Sequence, residues 1–374
     1  MESPRSTSLF LHRERTQALI DALEAEGYRC VGPRLRDGVI VYGALRRAGE
    51  LPSGVRDDQG PGRYRVTDGG DERVFAWANG ASCLRPLTFA PRETLWRAAR
   101  GDDGAIRFDA VAPAAPPAAV IGARACDLAA LAIHDDVFLG QAYRDPFYRA
   151  RREALFIVAV NCTHPAATCF CASTGDGPRA GSGYDLALTE LDDGFVVESG
   201  SERGARVAAA LGLEPAPDDR QEAARASVDA AAAAQTRALP GRDLRDVLFA
   251  ALDHPRWDDV AERCLGCGNC TLVCPTCFCH AEVEQPSLDG AHSDHVREWD
   301  SCFSPGHSAI HGLNVRADIR TRYRQWLVHK LGGWHDQFGR SGCTGCGRCI
   351  TWCPVGIDIT EEVGEICGKE RGER

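Results

Sequence analysis

The sequence predicts two domains, an α/β or α+β domain followed by a mostly α-helical one. A chain of 374 residues exceeds the length of one ordinary domain. Runs rich in β-formers alternate with helical patterns as far as residue 213, whereas helical periodicity dominates from residue 239 onward. We therefore assign residues 1–213 to the first domain, 214–238 to an Ala-rich connector and 239–374 to the second domain.

Hydrophobic periodicity predicts the elements of the first domain. Residues 13–26 form an amphipathic helix that ends at Gly27. Strands are predicted at residues 39–42, 74–77, 118–122, 155–160, 184–188 and 194–198, and further helices at 127–138 and 147–154. The last two strands flank Asp192 and Asp193, so they should pair as a hairpin.

The connector and one later helix have distinctive compositions. Residues 214–238 are rich in Ala, Asp, Arg and Pro, which indicates a helical connector, with a partly ordered linker as the alternative. Residues 316–331 have helical periodicity in the second domain. The basic side chains of that helix, Lys330 among them, are expected either to form a solvated face or to dock an acidic partner.

Charge and hydropathy argue against two classes of partner. The net charge is −10, from 43 Lys and Arg against 53 Asp and Glu, whereas nucleic-acid binding needs a positive surface. No apolar stretch reaches the length of a membrane span. The first fifteen residues lack the apolar core of a secretory signal. We therefore expect a cytoplasmic protein that binds neither nucleic acid nor membrane.

Eighteen cysteines are the dominant feature of the chain. In a reducing cytosol, metal or redox chemistry explains them better than disulfides do. Two segments, CLGCGNCTLVCP and CTGCGRCITWCP, form the only internal repeat. Each has the spacing C-x2-C-x2-C-x3-C-P, which is typical of [4Fe–4S] cluster ligation.

The spacing also predicts which thiolates share a cluster. Three thiolates of one motif bind one cubane, and the fourth, beyond the first helical turn, binds the other. One predicted cluster is ligated by Cys264, Cys267, Cys270 and Cys353, and the other by Cys343, Cys346, Cys349 and Cys274. Two structural zinc sites are the alternative, but zinc usually takes two separated pairs of ligands. We interpret the repeat as a ferredoxin-like electron-transfer domain with two [4Fe–4S] clusters.

A group of cysteines in the first domain forms a tentative third site. Each follows a predicted strand, so their loops could meet at one edge of a sheet. The group consists of Cys126, Cys162, Cys169 and Cys171. A third iron–sulfur cluster is favoured over zinc, and buried thiols that behave as apolar side chains are the alternative.

Three further cysteines lie beside the first motif. Cys277, Cys279 and Cys302 occur in CPTCFC and WDSC, and three ligands are one short of a closed site. Packing, or support of the cluster ligands, is therefore the favoured role. Redox-active thiols and part of another site are the alternatives.

Other functional signatures are missing from the sequence. No G-x-G-x-x-G follows a strand and no P-loop is present, so nothing marks a nucleotide site. We find no combination of nucleophile and base that would support independent catalysis. The expectation is a chain without catalytic residues.

The motifs resemble those of the beta subunit of cytoplasmic sulfhydrogenases, which are NADP-linked nickel–iron hydrogenases, and of a related subunit of anaerobic sulfite reductase. The resemblance rests on GARACDLAAL, DPFYRARRE, the NC…CFC segment, GYDLALTEL, NCTLVCPTCFC, REWDSC and GCGRCITWCPVGIDI. The long helical segment between the two motifs is also similar to the α-helical ferredoxin domains of respiratory and heterodisulfide-type iron–sulfur subunits.

The resemblance implies a non-catalytic electron-transfer subunit of a multi-subunit oxidoreductase. In such complexes the beta subunit relays electrons between a subunit that binds flavin and NAD(P)H and a nickel–iron hydrogenase module. One alternative is the same role in an anaerobic sulfite reductase. The other is a regulatory or oxygen-sensing iron–sulfur protein, against which the paired motifs and the missing DNA-binding pattern weigh.

Overall fold

The computed structural model describes residues 8–241 and 243–368, so the first seven of the fifteen N-terminal residues considered above lie outside it. Its strands are β1 (Leu9–His12), β2 (Arg29–Arg36), β3 (Val39–Ala44), β4 (Val55–Gly60), β5 (Arg63–Asp68), β6 (Arg92–Arg100), β7 (Ile106–Ala110), β8 (Ala118–Ala123), β9 (Leu155–Val160), β10 (Leu186–Glu190), β11 (Gly194–Ser199), β12 (Glu214–Pro215), β13 (His280–Pro286), β14 (His292–Trp299), β15 (Ala309–Ile310) and β16 (Leu313–Asn314). Its helices are α1 (Thr16–Ala25), α2 (Arg85–Thr88), α3 (Ala125–Phe138), α4 (Pro146–Glu153), α5 (Cys171–Thr174), α6 (Glu202–Ala210), α7 (Asp218–Ala233), α8 (Leu244–Ala250), α9 (Arg256–Arg263), α10 (Asn269–Leu272), α11 (Ile319–Val328), α12 (Trp334–Phe338), α13 (Arg348–Thr351) and α14 (Ile359–Ile366).

An eight-stranded sheet forms the centre of the first domain, in the order β12-β1-β11-β10-β9-β8-β2-β3. The pairs between β2, β8, β9 and β10 are parallel, and the remaining pairs are antiparallel. Every residue of β8 and β9 is buried, as expected for strands covered on both faces. Ile121 packs in one core with α1 and α6, whereas Val120 packs in another core with α3 and α4. This alternation gives a three-layer α/β arrangement.

The sequence predicted β3, β8, β9, β10 and β11 of this sheet but missed β1, β2 and β12, and one predicted strand is absent. The strands β10 and β11 pair as the expected hairpin, with Leu186 opposite Ser199. Residues 74–77, however, are not a strand. The amides of Val74 and Phe75 each donate to the Glu190 carboxylate at 2.8 Å, so this backbone is satisfied by a side chain rather than by a neighbouring strand.

A second sheet joins the two predicted domains, in the order β13-β14-β6-β7. The strand β14 pairs antiparallel with β6, and His292 lies opposite Ala99. The expectation of a mostly helical remainder is therefore wrong for residues 280–299, because β13 and β14 complete a sheet begun by the first domain. Sequence reasoning missed this hairpin since its partner strands lie far away in the chain.

The Ala-rich connector is largely a helix that packs on the first domain. The short strand β12 pairs with β1, and α7 follows it. Ala224 packs with Phe10 and Val196, and Val228 is also buried. Apolar side chains at helical spacing therefore bind the first part of the connector to the sheet.

A further apolar core lies between α8, α9, α11 and α14 and includes Phe170 of the first domain. Trp257, Leu327 and Val363 are all fully buried in it. The helix α11 continues into the π-helical turn His329–Gly333. Among the described residues, no helix is both long and apolar enough to cross a bilayer.

Candidate metal centre

Four cysteines from both motifs surround one pocket, which we call the first site. They are Cys264, Cys267, Cys270 and Cys353. Aromatic side chains of α11, Tyr323 and Trp326, contribute to its apolar wall. Cys267 is exposed and the other three are half-buried. The structure thus brings together the thiols that the spacing assigns to one cluster, and their role as ligands stays a prediction.

Glycines shape the loop of each motif. Gly266 and Gly345 have φ angles of 61° and 63°, in the left-handed region that favours glycine. The Gly266 amide donates to the Cys264 Sγ at 3.4 Å, and the Gly345 amide donates to the Cys343 Sγ at 3.4 Å. Amide groups that face sulfur stabilise a thiolate. Both loops therefore suit thiolate ligands.

The remaining motif cysteines form a second site, which lies between the two domains. Cys274, Cys343 and Cys346 are buried, and Cys349 is half-buried. The first domain contacts this loop directly, because the Phe170 amide donates to the Gly345 carbonyl at 2.8 Å. The assignment of these four thiols to one cluster also stays a prediction.

Burial makes these thiols difficult to ionise by themselves. It is the main reason why the pKa values of Cys270 and Cys349 are raised well above the ordinary value, and neighbouring cysteines raise them further. Those neighbours are Cys264, Cys353, Cys267 and Cys274 for Cys270, and Cys343, Cys346, Cys274 and Cys270 for Cys349. Four such thiolates need a positive group among them, and the iron of an iron–sulfur cluster provides one. The residues therefore fit a cluster.

A single metal ion requires a tighter arrangement of ligands than a cluster does. Zinc needs its sulfur ligands about 2.3 Å from one centre. Among residues 8–241 and 243–368, no three Cys, His, Asp or Glu side chains are placed to hold one metal ion. The zinc alternative thus has no preassembled site in the described part of the chain.

Lys330 lies beside the second site, in the π-helical turn after α11. Its side chain is 6% exposed, and Nζ donates to the Thr276 Oγ1 at 2.8 Å and to the Gly342 carbonyl at 3.3 Å. Burial acts to lower the pKa of Lys330, but the thiols of Cys274 and Cys277 raise it, so the amine stays charged. The expectation of a solvated or docking face is wrong for Lys330, which is a buried cation.

The four cysteines of the tentative third site lie close to one another. Cys126 and Cys171 pack with Cys346 of the second motif in one buried cluster. The Cys169 Sγ lies 4.0 Å from the Cys346 carbonyl oxygen, and Cys162 is close enough to Cys169 and Cys171 to influence their ionisation. Burial is the main reason why the pKa of Cys171 is raised to about 12. The carboxyl ends of β8 and β9 therefore gather this group against the second site, and metal binding there stays a prediction.

Known proteins offer a comparison for this arrangement. A family model described as a 4Fe-4S dicluster domain matches residues 263–357. The chain is 34% identical to the Sulfhydrogenase 2 subunit beta of Pyrococcus furiosus over 250 residues, which are 66% of this chain and 73% of the relative. The chain belongs to the sulfhydrogenase beta-subunit family. No solved structure matches this member of the family. The resemblance inferred from the motifs is confirmed, as is a 4Fe–4S domain in the C-terminal part of the chain.

Two charged residues that sequence reasoning missed form a buried ion pair between the two domains of this beta-subunit homologue. Arg348 Nη1 lies 2.9 Å from Asp127 Oδ1, and both side chains are 1% exposed. The Arg348 Nε also donates to the Gly80 carbonyl at 2.8 Å. A comparison of the two motifs could have indicated this pair, because the first motif has Asn269 where the second has Arg348. A charged side chain that is buried beside a cluster loop needs a partner of opposite charge.

Proposed function

We propose that the chain is the electron-transfer subunit of a hydrogenase-type complex. It would relay electrons between a nickel–iron hydrogenase module and a subunit that binds flavin and NAD(P)H, and it would have no catalytic residues of its own. Membership of the sulfhydrogenase beta-subunit family supports this role over the sulfite reductase and oxygen-sensing alternatives. We also propose a cytoplasmic location and retain 1–213, 214–238 and 239–374 as functional divisions.

One observation carries the proposal: the two cysteine sites adjoin. Cys349 belongs to the second set, yet it lines the same pocket as the first set. Bound [4Fe–4S] clusters would supply one-electron transfer. The protein's own part is to hold the eight thiols of the two proposed sets, to direct backbone amides at their sulfurs and to exclude water from the second site.

A third cluster at Cys126, Cys162, Cys169 and Cys171 is part of the proposal. Support comes from the contact that Cys126 and Cys171 make with Cys346. Gln235 Nε2 also donates to the Cys171 Sγ at 3.3 Å, as expected for a side chain that supports a ligand. A group bound there would connect the first domain to the second site.

Metal content tests the cluster proposal most directly. The chain purified under argon should contain about eight irons, or about twelve with the third site filled. Replacing Cys126 and Cys171 together by Ser should then lower the content from about twelve to about eight. Zinc at full occupancy with little iron would overturn the electron-transfer role.

Partners and activity need a separate experiment. Purification from the native cell under argon should recover both a flavin-containing and a nickel–iron subunit, whereas recovery of a sirohaem protein would indicate sulfite reduction. The isolated chain should neither evolve hydrogen nor oxidise NADPH. Robust NADPH-driven dye reduction by the chain alone would contradict the assignment.

A further inference from the structure

Cys279 and Cys302 form a pair outside both cluster sites. The ladder between β13 and β14 places His280 opposite Trp299, and the Asp300 amide donates to the Cys279 carbonyl at 3.0 Å. This pairing places Cys279 opposite Asp300, which lies two positions before Cys302. The two thiols lie close enough to influence each other's ionisation, and both are half-buried rather than sealed in a core.

The pair lines a cavity of about 150 Å³ whose polar lining is mainly basic. Arg316 and His307 line it, as does Lys330 from the π-helical turn, a feature frequent at functional sites. Among the described residues no carboxylate lines the cavity itself, although the His307 Nδ1 lies 2.9 Å from the Asp300 Oδ2. A cavity of this charge stabilises a thiolate and admits a small reagent.

The two thiols differ in chemical character. The hydrogen bond from Cys302, followed by the nearby charges of His307 and Lys330, lowers the pKa of Cys279 to about 6. The hydrogen bond to Cys279 and burial raise the pKa of Cys302. The pair therefore combines a thiol of lowered pKa with a thiol of raised pKa, the combination of an attacking and a resolving cysteine.

We propose that Cys279 and Cys302 are a redox-active dithiol that reacts with low-molecular-weight disulfides. The Cys279 thiolate attacks one sulfur of the disulfide, which releases a first thiolate and leaves a mixed disulfide on Cys279. Cys302 then loses its proton and attacks the Cys279 sulfur, which releases the second thiol. Two electrons pass to the small disulfide. The proton of Cys302 ends on one released thiol, and water protonates the other. The proposal is independent of the electron-relay role.

Thiol trapping in the iron-loaded, full-length chain tests the dithiol. The protein is treated under argon with bis(2-hydroxyethyl) disulfide, quenched with acid, alkylated and digested for mass spectrometry. Wild-type protein should yield a Cys279–Cys302 cross-linked peptide pair that is two hydrogens lighter than the free peptides. The variant Cys302→Ser should accumulate one hydroxyethylthio group on Cys279, and Cys279→Ser should leave Cys302 unmodified.

Cys30 provides the internal control, because it is buried in the core of the first domain and burial raises its pKa to about 12. Cys279 should react at least about tenfold faster than Cys30. Full iron content without any cross-link in the wild-type protein would overturn the dithiol. A loss of about four irons in Cys279→Ser or Cys302→Ser would also overturn it, since these residues would then be cluster ligands.

Discussion

The two cysteine motifs have the same spacing but opposite environments. Leu265 of the first motif is 65% exposed, whereas Thr344 at the equivalent position of the second is 1% exposed. Likewise Leu272 is 44% exposed and Thr351 only 2%. At these two positions, apolar side chains face solvent in the first motif and polar side chains are buried in the second. The local motif does not decide how a cluster site is shielded.

The buried polar residues of the second motif explain this difference. The Thr351 Oγ1 donates to the Gln59 Oε1 at 2.9 Å and lies 2.8 Å from the Thr168 Oγ1. Each of these partners belongs to the first domain, and each bond satisfies a group that would be costly to bury alone. The second motif is therefore part of the contact between the domains. The first motif also touches the first domain, through Arg85, but its Leu265 and Leu272 face solvent.

The largest expected effect follows from Cys274→Ala, which removes a thiol of the second site although it lies in the first motif. About four irons should be lost. The reduced-state EPR spectrum should match that of Cys346→Ala rather than that of Cys267→Ala. Cys30→Ala should keep its full iron content. A spectrum that matches Cys267→Ala would show that each motif ligates its own cluster.

Glycine substitutions compare the two loops at matched backbone strain. Gly266 and Gly345 have nearly equal φ angles, but a Cβ at Gly345 would lie 2.5 Å from the Cys171 backbone nitrogen, while one at Gly266 would meet only the Ile319 side chain at 3.7 Å. Gly266→Ala should lower the free energy of unfolding by about 1–2 kcal/mol, from backbone strain alone.

Gly345→Ala should lower the free energy of unfolding by about 1–3 kcal/mol more than Gly266→Ala does, since overpacking adds to the strain. Urea unfolding of the iron-loaded protein measures both variants. Equal decreases in unfolding free energy would show that the Cys171 backbone is not packed closely against Gly345.

Removal of the buried ion pair between the domains should also lower the stability of the protein. Asp127→Asn leaves the Arg348 guanidinium buried without its carboxylate, which should cost about 3–5 kcal/mol. Asp103→Asn is the control, because its pair with Arg107 is exposed and its loss should stay within about 0.5 kcal/mol. Denaturant midpoints compare them. Similar midpoints would mean that the buried pair contributes little.

The smallest expected effect concerns reduction potential. Lys330→Met removes a buried cation beside the second site while keeping its length, so gain of an electron there becomes less favourable. The potential of the second-site cluster should fall by roughly 60 mV, a tenfold change in a one-electron equilibrium. The first-site potential should change less. A redox titration followed by EPR that showed equal shifts at both sites would contradict this role.

The cysteine spacing by itself determined a 4Fe–4S domain, because ligand geometry near a cubane is a local property of a short loop. The family followed from the resemblance of longer segments along the chain. Hydrophobic periodicity likewise determined α1, α3, β8 and β9, because apolar residues recur there at helical or strand spacing. It failed at residues 74–77, where Glu190 from far along the chain binds the backbone.

Only the tertiary structure decided the environment of each site. The contacts Asp127–Arg348 and Phe170–Gly345 join residues more than 170 positions apart, and β14 pairs with β6 across a similar distance. Nothing in a local pattern records such pairings, because burial and charge compensation depend on which distant surface covers a residue. The two motifs of equal cysteine spacing therefore acquired different surroundings. Lys330, which the sequence placed on a solvated or docking face, is a buried cation.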